Sequence, residues 1–427
     1  MESVKINENI NLNFISMTKL KTTSVGVYIH RPLTKKDASY NALLPMVLKS
    51  ASRLYPSRED IAAQLDNLYG ATMGSAAIKM GEDHIIYFDA ETISDKYTPN
   101  GEKLLSELLK LMMDVIFDPK TENNGFDAKI TEQEKKNALD KIDAFINDKR
   151  QYASSRCQSE TSRGTNFEIM RFGDKETLSE ITSQSLYEYY KSIINSSVID
   201  IYICGDADIN EACNTVREYI SGIEFDAATF KKTEILKRDI QNINDVTERM
   251  DVAQGKLAMG YITNVAPGDS DSYALTVFNS IFGAGAHSKL FNNVREKLSL
   301  AYYASSQLEK HKGILVVNAG IEFENFLKAR DEVMAQLEEI KNANISEHEF
   351  TSSINAIVNM CSSYYDDQRA LASFYLSQSV AETNTTLEEY IENIKKVTID
   401  DVVGVAKKLQ LDTVYFLAGK KGDEDNA

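Results

Sequence analysis

The chain has no tryptophan and only four cysteines, five histidines and six prolines in 427 residues. Each shortage excludes something. Cys157, Cys204, Cys213 and Cys361 form no Cys-x-x-Cys pair, which removes the usual zinc-ribbon and thiol-redox motifs. In a long chain they read as ordinary buried thiols. The histidines are His30, His84, His287, His311 and His348, and no two are close enough to share one helix face. Neither His-Glu-x-x-His nor His-x-x-Glu-His therefore exists. A catalytic zinc takes about three protein ligands, and few are on offer. His84 reads as structural, and His348-Glu349 as a helix start. Five of the six prolines precede residue 120, so no Pro-rich linker divides the chain.

Other absences narrow the function classes. No run of about 18 uncharged apolar residues could cross a membrane. The first residues lack a basic start followed by an apolar run, so no signal peptide is expected, and the expected compartment is the cytoplasm. Basic residues are in deficit, 47 against 64 acidic, for a net charge of −17. That excludes a nucleic-acid partner, which needs a basic face, and otherwise reads as solubility. There is no Gly-x-Ser-x-Gly elbow. The Gly-rich stretch Phe282-Gly283-Ala284-Gly285-Ala286 lacks the Gly-Lys-Ser/Thr of a phosphate loop and follows a helical run, so it reads as a loop before a helix.

What is present is a globular composition, 43% hydrophobic and 26% charged, in a chain long enough for more than one domain. Strand-like and helix-like stretches alternate. Residues 24–29 alternate as a half-buried strand does. Residues 57–69 form an amphipathic helix with Ser57 as N-cap and Gly70 at its end. Residues 71–79 and 84–90 flank Gly81 as a hairpin. Helices are predicted over 103–117, stopped by Asp118-Pro119, over 131–149, over 271–282, over 287–297 and over 324–341, with a strand pair at 302–307 and 313–320. A helix, a polar turn, an apolar strand with a Tyr and then a Gly end the first half (Leu186 to Gly205). The same series ends the second (Ile399 to Gly419). One repeat per half-chain implies two related domains. The expected boundaries are 1–225 for the first, 226–250 for a connector, 251–420 for the second and 421–427 for a disordered tail.

These stretches together resemble the M16 family of zinc peptidases, the insulinase or mitochondrial-processing-peptidase-like proteins, over nearly the whole chain. The resemblance implies an α+β fold of two tandem related M16-type α/β domains. Each would be a mainly antiparallel sheet with helices packed on it, the two forming half of a clam-shaped chamber. In catalytic members the first half carries His-x-x-Glu-His. Placing Ala51-Ser52 on the Gly-Thr that follows puts Ala42 and Met46 at the two histidines and Pro45 at the glutamate base. The family's third ligand, a later Glu, falls on Lys141 within Glu134 to Ile142. The second half keeps its pattern: the loop of Gly283 and Gly285, then Ser-x-Leu-Phe, Arg-Glu-Lys and Ala-Tyr, with Arg295 and Tyr302 at the family's Arg and Tyr. In the family that pair reaches toward substrate bound at the zinc. A guanidinium offers a donor fork to peptide carbonyls, and a phenol can donate to a developing oxyanion.

The resemblance therefore implies no metal or cofactor in this chain, and zinc only in a partner subunit with an intact His-x-x-Glu-His. The chain would be the non-catalytic, Arg/Tyr-contributing subunit of a two-chain peptidase acting on peptides. Peptide would add as a strand to the edge of the 71–90 hairpin. No nucleic acid or membrane is expected as partner, and a homodimer is left open for the chain alone. The alternative is a peptide-binding or scaffold protein of the same fold with no part in proteolysis.

Overall fold

The computed structural model describes residues 1–228 and 232–420. The expected tail, 421–427, and residues 229–231 of the expected connector lie outside the described residues. The first half contains strands β1 (Glu2–Lys5), β2 (Ile10–Ser16) and β3 (Thr22–His30), helices α1 (Ala38–Leu48) and α2 (Arg58–Asn67), and the hairpin β4 (Thr72–Met80) and β5 (Asp83–Ile93). Helix α3 (Leu104–Phe117), a small pair β6 (Thr121–Glu122) and β7 (Gly125–Phe126), and α4 (Ala128–Asn147) follow. Then come α5 (Lys149–Thr161), α6 (Lys175–Glu180), α7 (Ser183–Ile194), β8 (Val198–Gly205) and α8 (Ile209–Ile220). The second half runs β9 (Asn244–Arg249), β10 (Gly255–Ile262), α9 (Asp271–Phe282), a π-helical segment Leu290–Lys297, β11 (Ala301–Glu309) and β12 (Ile314–Ile321). It closes with α10 (Phe326–Lys341), α11 (Glu347–Ser363), α12 (Gln368–Val380), α13 (Leu387–Lys396), α14 (Ile399–Lys408) and β13 (Gln410–Ala418).

The repeat is explicit in the two sheets. The first has the order β1-β2-β8-β3-β5-β4 and the second β11-β12-β10-β13-β9. Reading the second from β9 gives the first without β1. In both, the early strand runs parallel to the late one, β2 with β8 and β9 with β13. The remaining ladders are antiparallel. The helices that lead into the late strands start alike, on Thr182 and Thr398, each a capping box whose side chain accepts from the third backbone N–H. The expected connector thus contains β9, which belongs to the second sheet.

Two units follow, and neither coincides with a half of the sequence. Unit 1 comprises Met1–Ile142, Ile169–Lys232 and Tyr364–Ser377; unit 2 comprises Asp143–Glu168, Thr233–Ser363 and Gln378–Ala427. In unit 2, α5 lies on the sheet, where Ala153 and Cys157 join Ala258, Ile262, Ile314, Val316, Tyr415 and Leu417 in one apolar cluster. Ala153, Cys157 and Thr161 are spaced by four, so they share a helix face. Close approach also needs Gly260: a Cβ there would run into the side chain of Thr161. In unit 1 the start of α12 is tied to β3, where the Gln368 amide donates to the Thr22 carbonyl at 2.7 Å, and to β5, where Arg369 pairs with Asp89 at 3.0 Å.

Each sheet buries one polar key. In unit 1 it is His30, its Nδ1 2.6 Å from Asp83 and its Nε2 3.2 Å from Asp200, which pins β3 to both neighbours. Burial alone would lower the imidazole pKa, but the hydrogen bonds to Asp200 and Asp83 outweigh it and hold the pKa up at about 10. In unit 2 it is the fully buried Asp412, which takes Arg163 at 2.5 Å and Arg238 at 3.2 Å.

Candidate functional site

The substituted motif lies on α1 and α4. Among the residues placed on the family's ligand pattern, Ala42, Met46 and Lys141 line one small cavity of about 40 Å³ together with Ala76, Ala77, Ala138, Phe172 and Leu178. The positions aligned from sequence alone thus converge in space. The Lys141 ammonium donates to the Met46 thioether, 3.7 Å away. Pro45 sits inside α1, so the helix forgoes the hydrogen bond that its N–H would have made. The Pro45 carbonyl keeps its helical bond from the Lys49 N–H at 3.1 Å and also accepts from Ser75 Oγ of β4 at 2.8 Å.

These residues do not fit a zinc ion. Ala42 has no donor atom, Pro45 has no group that could accept a proton, Met46 offers a weak thioether and Lys141 brings a positive charge. Among the described residues, no group of three His, Cys, Asp or Glu is arranged to hold a metal. Neighbouring polar groups are committed elsewhere. Asn41, beside Ala42, donates to His84 Nδ1 at 3.2 Å and accepts from Tyr189 Oη at 2.6 Å. His84 Nε2 reaches the Arg171 carbonyl at 3.0 Å. Burial lowers the His84 pKa to about 4, so the ring is neutral with both nitrogens engaged. Glu134, the only carboxylate of the α4 stretch that is buried, accepts from Ser50 Oγ at 2.8 Å and pairs with Arg58.

The second candidate group lies in unit 2. The stretch predicted as an α-helix over 287–297 is wound as a π-helix from Leu290 to Lys297. The wider turn is a frequent feature of functional sites. Arg295 projects from it, exposed, with its guanidinium 4.7 Å above the Phe291 ring and its Nε 3.5 Å from Glu296. Tyr302 is placed by a β-bulge: Ala301 pairs with Ile321 and Tyr303 with Gly320, leaving Tyr302 as the extra residue. Such a bulge re-aims a side chain. The two adjacent tyrosines consequently part. Tyr303 lies over Gly320 and under the Arg150 guanidinium, 4.1 Å from its ring, whereas Tyr302 is 55% exposed. The Tyr302 hydroxyl donates to Glu322, which raises its pKa and keeps it a proton donor.

The two glycines serve packing. A Cβ on Gly283 would meet Ser306 Oγ at 2.5 Å, and the Gly283 carbonyl accepts from the Ser306 N–H at 3.0 Å, so α9 ends directly on β11. At Gly285 a Cβ would meet the His287 ring at 2.7 Å; that ring is held by Ser280 and Ser353. Glu322 has no motif of its own in the sequence, and only the β11–β12 register reveals it. Phe291 belongs to the Ser-x-Leu-Phe stretch, but its place under Arg295 depends on the π-turn.

Comparison with known proteins agrees with this geometry. The profile of the family described as "Peptidase M16 inactive domain" matches residues 180–357. The chain is 34% identical, over 97% of its length and 96% of the relative's, to a "Probable inactive metalloprotease YmfF" of Bacillus subtilis (strain 168). The structure of a conserved protein from Enterococcus faecalis V583 superposes with a TM-score of 0.90 at 31% identity, covering 98% of each chain. A peptidase M16 inactive domain from Pseudomonas fluorescens shares the fold at a TM-score of 0.80 and 15% identity, again over 98% of each. The chain belongs to the peptidase M16 family as an inactive homologue.

Proposed function

We propose that this chain is the non-catalytic subunit of a two-chain M16-type peptidase, supplying Arg295 and Tyr302 to peptide bound at the zinc of a partner that has an intact His-x-x-Glu-His. The observation that carries the reading is Tyr302: a bulge lifts it from the edge strand β11, leaves it exposed and keeps its phenol protonated as a donor. A residual tyrosine has no need of that device. Peptide would pair with the edge of β4, which has a hydrogen-bonded neighbour on one side only. The four cysteines are buried free thiols, which suits a reducing compartment, and the cytoplasm is the proposed location. The test is co-expression with the presumed partner. A complex should form, and Arg295→Ala with Tyr302→Phe should lower its peptide cleavage at least ten-fold. Failure to form a complex, or unchanged cleavage, overturns the reading.

A second reading is a peptide-binding or scaffold protein with no part in proteolysis. The engagement of Tyr302 by Glu322 favours it, since a phenol already donating has a partner without substrate. Titrating unfolded peptides against the chain alone separates the two, because only the scaffold reading expects tight binding without a partner.

A further inference from the structure

Where the family pattern calls for a metal and its carboxylate, unit 1 holds positive charge. Lys141 stands at the rim of the α1–α4 cavity, against Met46. Lys49 follows α1 and is half-buried, and its pKa is lowered by burial and then by the charges of Lys141 and Arg58. Of the carboxylates nearby, Glu134 is paired with Arg58 and Asp89 with Arg369 at 3.0 Å. Among the described residues no carboxylate comes within ion-pair distance of Lys49 or Lys141. Two neighbouring ammoniums without a counter-ion, one partly desolvated, form an unfavourable arrangement that a bound anion relieves.

The surroundings say which anion. The cavity below Lys141 is apolar, and at about 40 Å³ it has room for little more than a methyl group or a water. Ala76 and Ala77 of its wall belong to β4, the sheet edge. An anion delivered there on an extended backbone is a peptide carboxylate. We propose that the substituted metal site is a carboxylate pocket: Lys141 and Lys49 take the carboxylate of a peptide lying along β4, and the cavity takes a small side chain. This rests on the reading that peptide pairs with the β4 edge.

The test titrates the full chain with three fluorescently labelled peptides: tetra-alanine with a free C-terminus, its C-terminal amide, and the amide of Ala-Ala-Ala-Asp. The free acid should bind at least ten-fold more tightly than the tetra-alanine amide. Lys141→Met, an exposed substitution that keeps the apolar stem, should abolish that preference; Lys49→Met should reduce it. If the aspartyl amide binds as well as the free acid, the pocket is supported and an acidic side chain also fills it. Equal binding of acid and tetra-alanine amide overturns the pocket while leaving strand pairing intact. A preference that survives in both lysine variants also overturns it, because the carboxylate then sits elsewhere. Binding of none of the three overturns strand pairing, and the pocket with it.

Discussion

The two sheets share one strand order but differ at their edges β4 and β11. Beside β4 in unit 1, Ala42, Pro45, Met46 and Lys141 offer no group that suits a zinc ion, and Pro45 lies inside the helix that carries it. Beside β11 in unit 2, a π-turn and a bulge, both departures from regular structure, still present Arg295 and Tyr302. Irregular backbone costs stability and persists where something holds it in place. The two edges therefore differ in backbone as well as in side chains: an irregular one presents exposed polar groups, and a regular one backs onto a small apolar cavity.

Restoring the pattern breaks this contrast most completely. The variant combining Ala42→His, Pro45→Glu, Met46→His and Lys141→Glu should hold about one zinc per chain by metal analysis, against none for the parent, since Ala42, Met46 and Lys141 line one cavity and α1 regains its hydrogen bond. If the variant folds and stays metal-free, the alignment of the two edges is wrong.

The next effect is on packing. Gly26 of β3 and Gly260 of β10 stand on corresponding strands. A Cβ on Gly26 would meet only the far end of the Tyr28 ring, at 2.6 Å, whereas one on Gly260 would run much more deeply into the Thr161 hydroxyl, which is bonded to the Cys157 carbonyl at 2.7 Å. Gly260→Ala should therefore destabilise by about 1–3 kcal/mol and Gly26→Ala by clearly less, in parallel urea melts. Equal losses would mean that α5 is not pressed on the second sheet.

The polar keys differ in their response to pH. A histidine whose folded pKa is raised contributes stability that is complete below about 6.5, its unfolded value, and is lost as pH climbs through about 10. Arginines do not titrate in that window. Amide exchange between pH 7 and 10, corrected for its intrinsic rate, should show β3, β5 and β8 loosening while β10 and β13 hold. His30→Gln should remove most of that slope, and a uniform loss across both sheets contradicts the assignment.

The smallest effect concerns the matched helices α7 and α14. Gly404 lies inside α14 with open space beyond it. Gly404→Ala should add about 0.5–1 kcal/mol, read as a raised Tm. A loss would show that the glycine has a packing partner.

Much of this was legible from the residues. The helix over 271–282, the Ser57 cap, the 71–90 hairpin and the repeated chain endings all have local causes, in periodicity, capping and turn chemistry. The M16 resemblance aligned Ala42, Met46 and Lys141, which share a cavity although α1 and α4 are far apart in sequence. The sequence missed what depends on distant partners. α5 follows α4 after only Asp148 and separates from it by packing on the second sheet rather than by any breaker. β9 is polar at every position except Val246 and too short to stand out; only its ladder with β13 makes it a strand. The π-turn and the Tyr302–Glu322 bond likewise depend on tertiary register, which no local pattern encodes.

The composition of the units has a consequence for how the protein is made. Unit 1 includes Tyr364–Ser377, in which Gln368, Leu371, Ala372 and Leu376 are buried, while α5 from the first half completes unit 2. During synthesis the first sheet must wait, without its last segment, until most of the polypeptide has left the ribosome. Until unit 2 has formed, the face of α5 that carries Ala153 and Cys157 stays uncovered. Cutting the gene at the repeat boundary would yield two fragments that each lack a piece of themselves and carry a piece of the other, so they are better suited to reassociate than to fold alone.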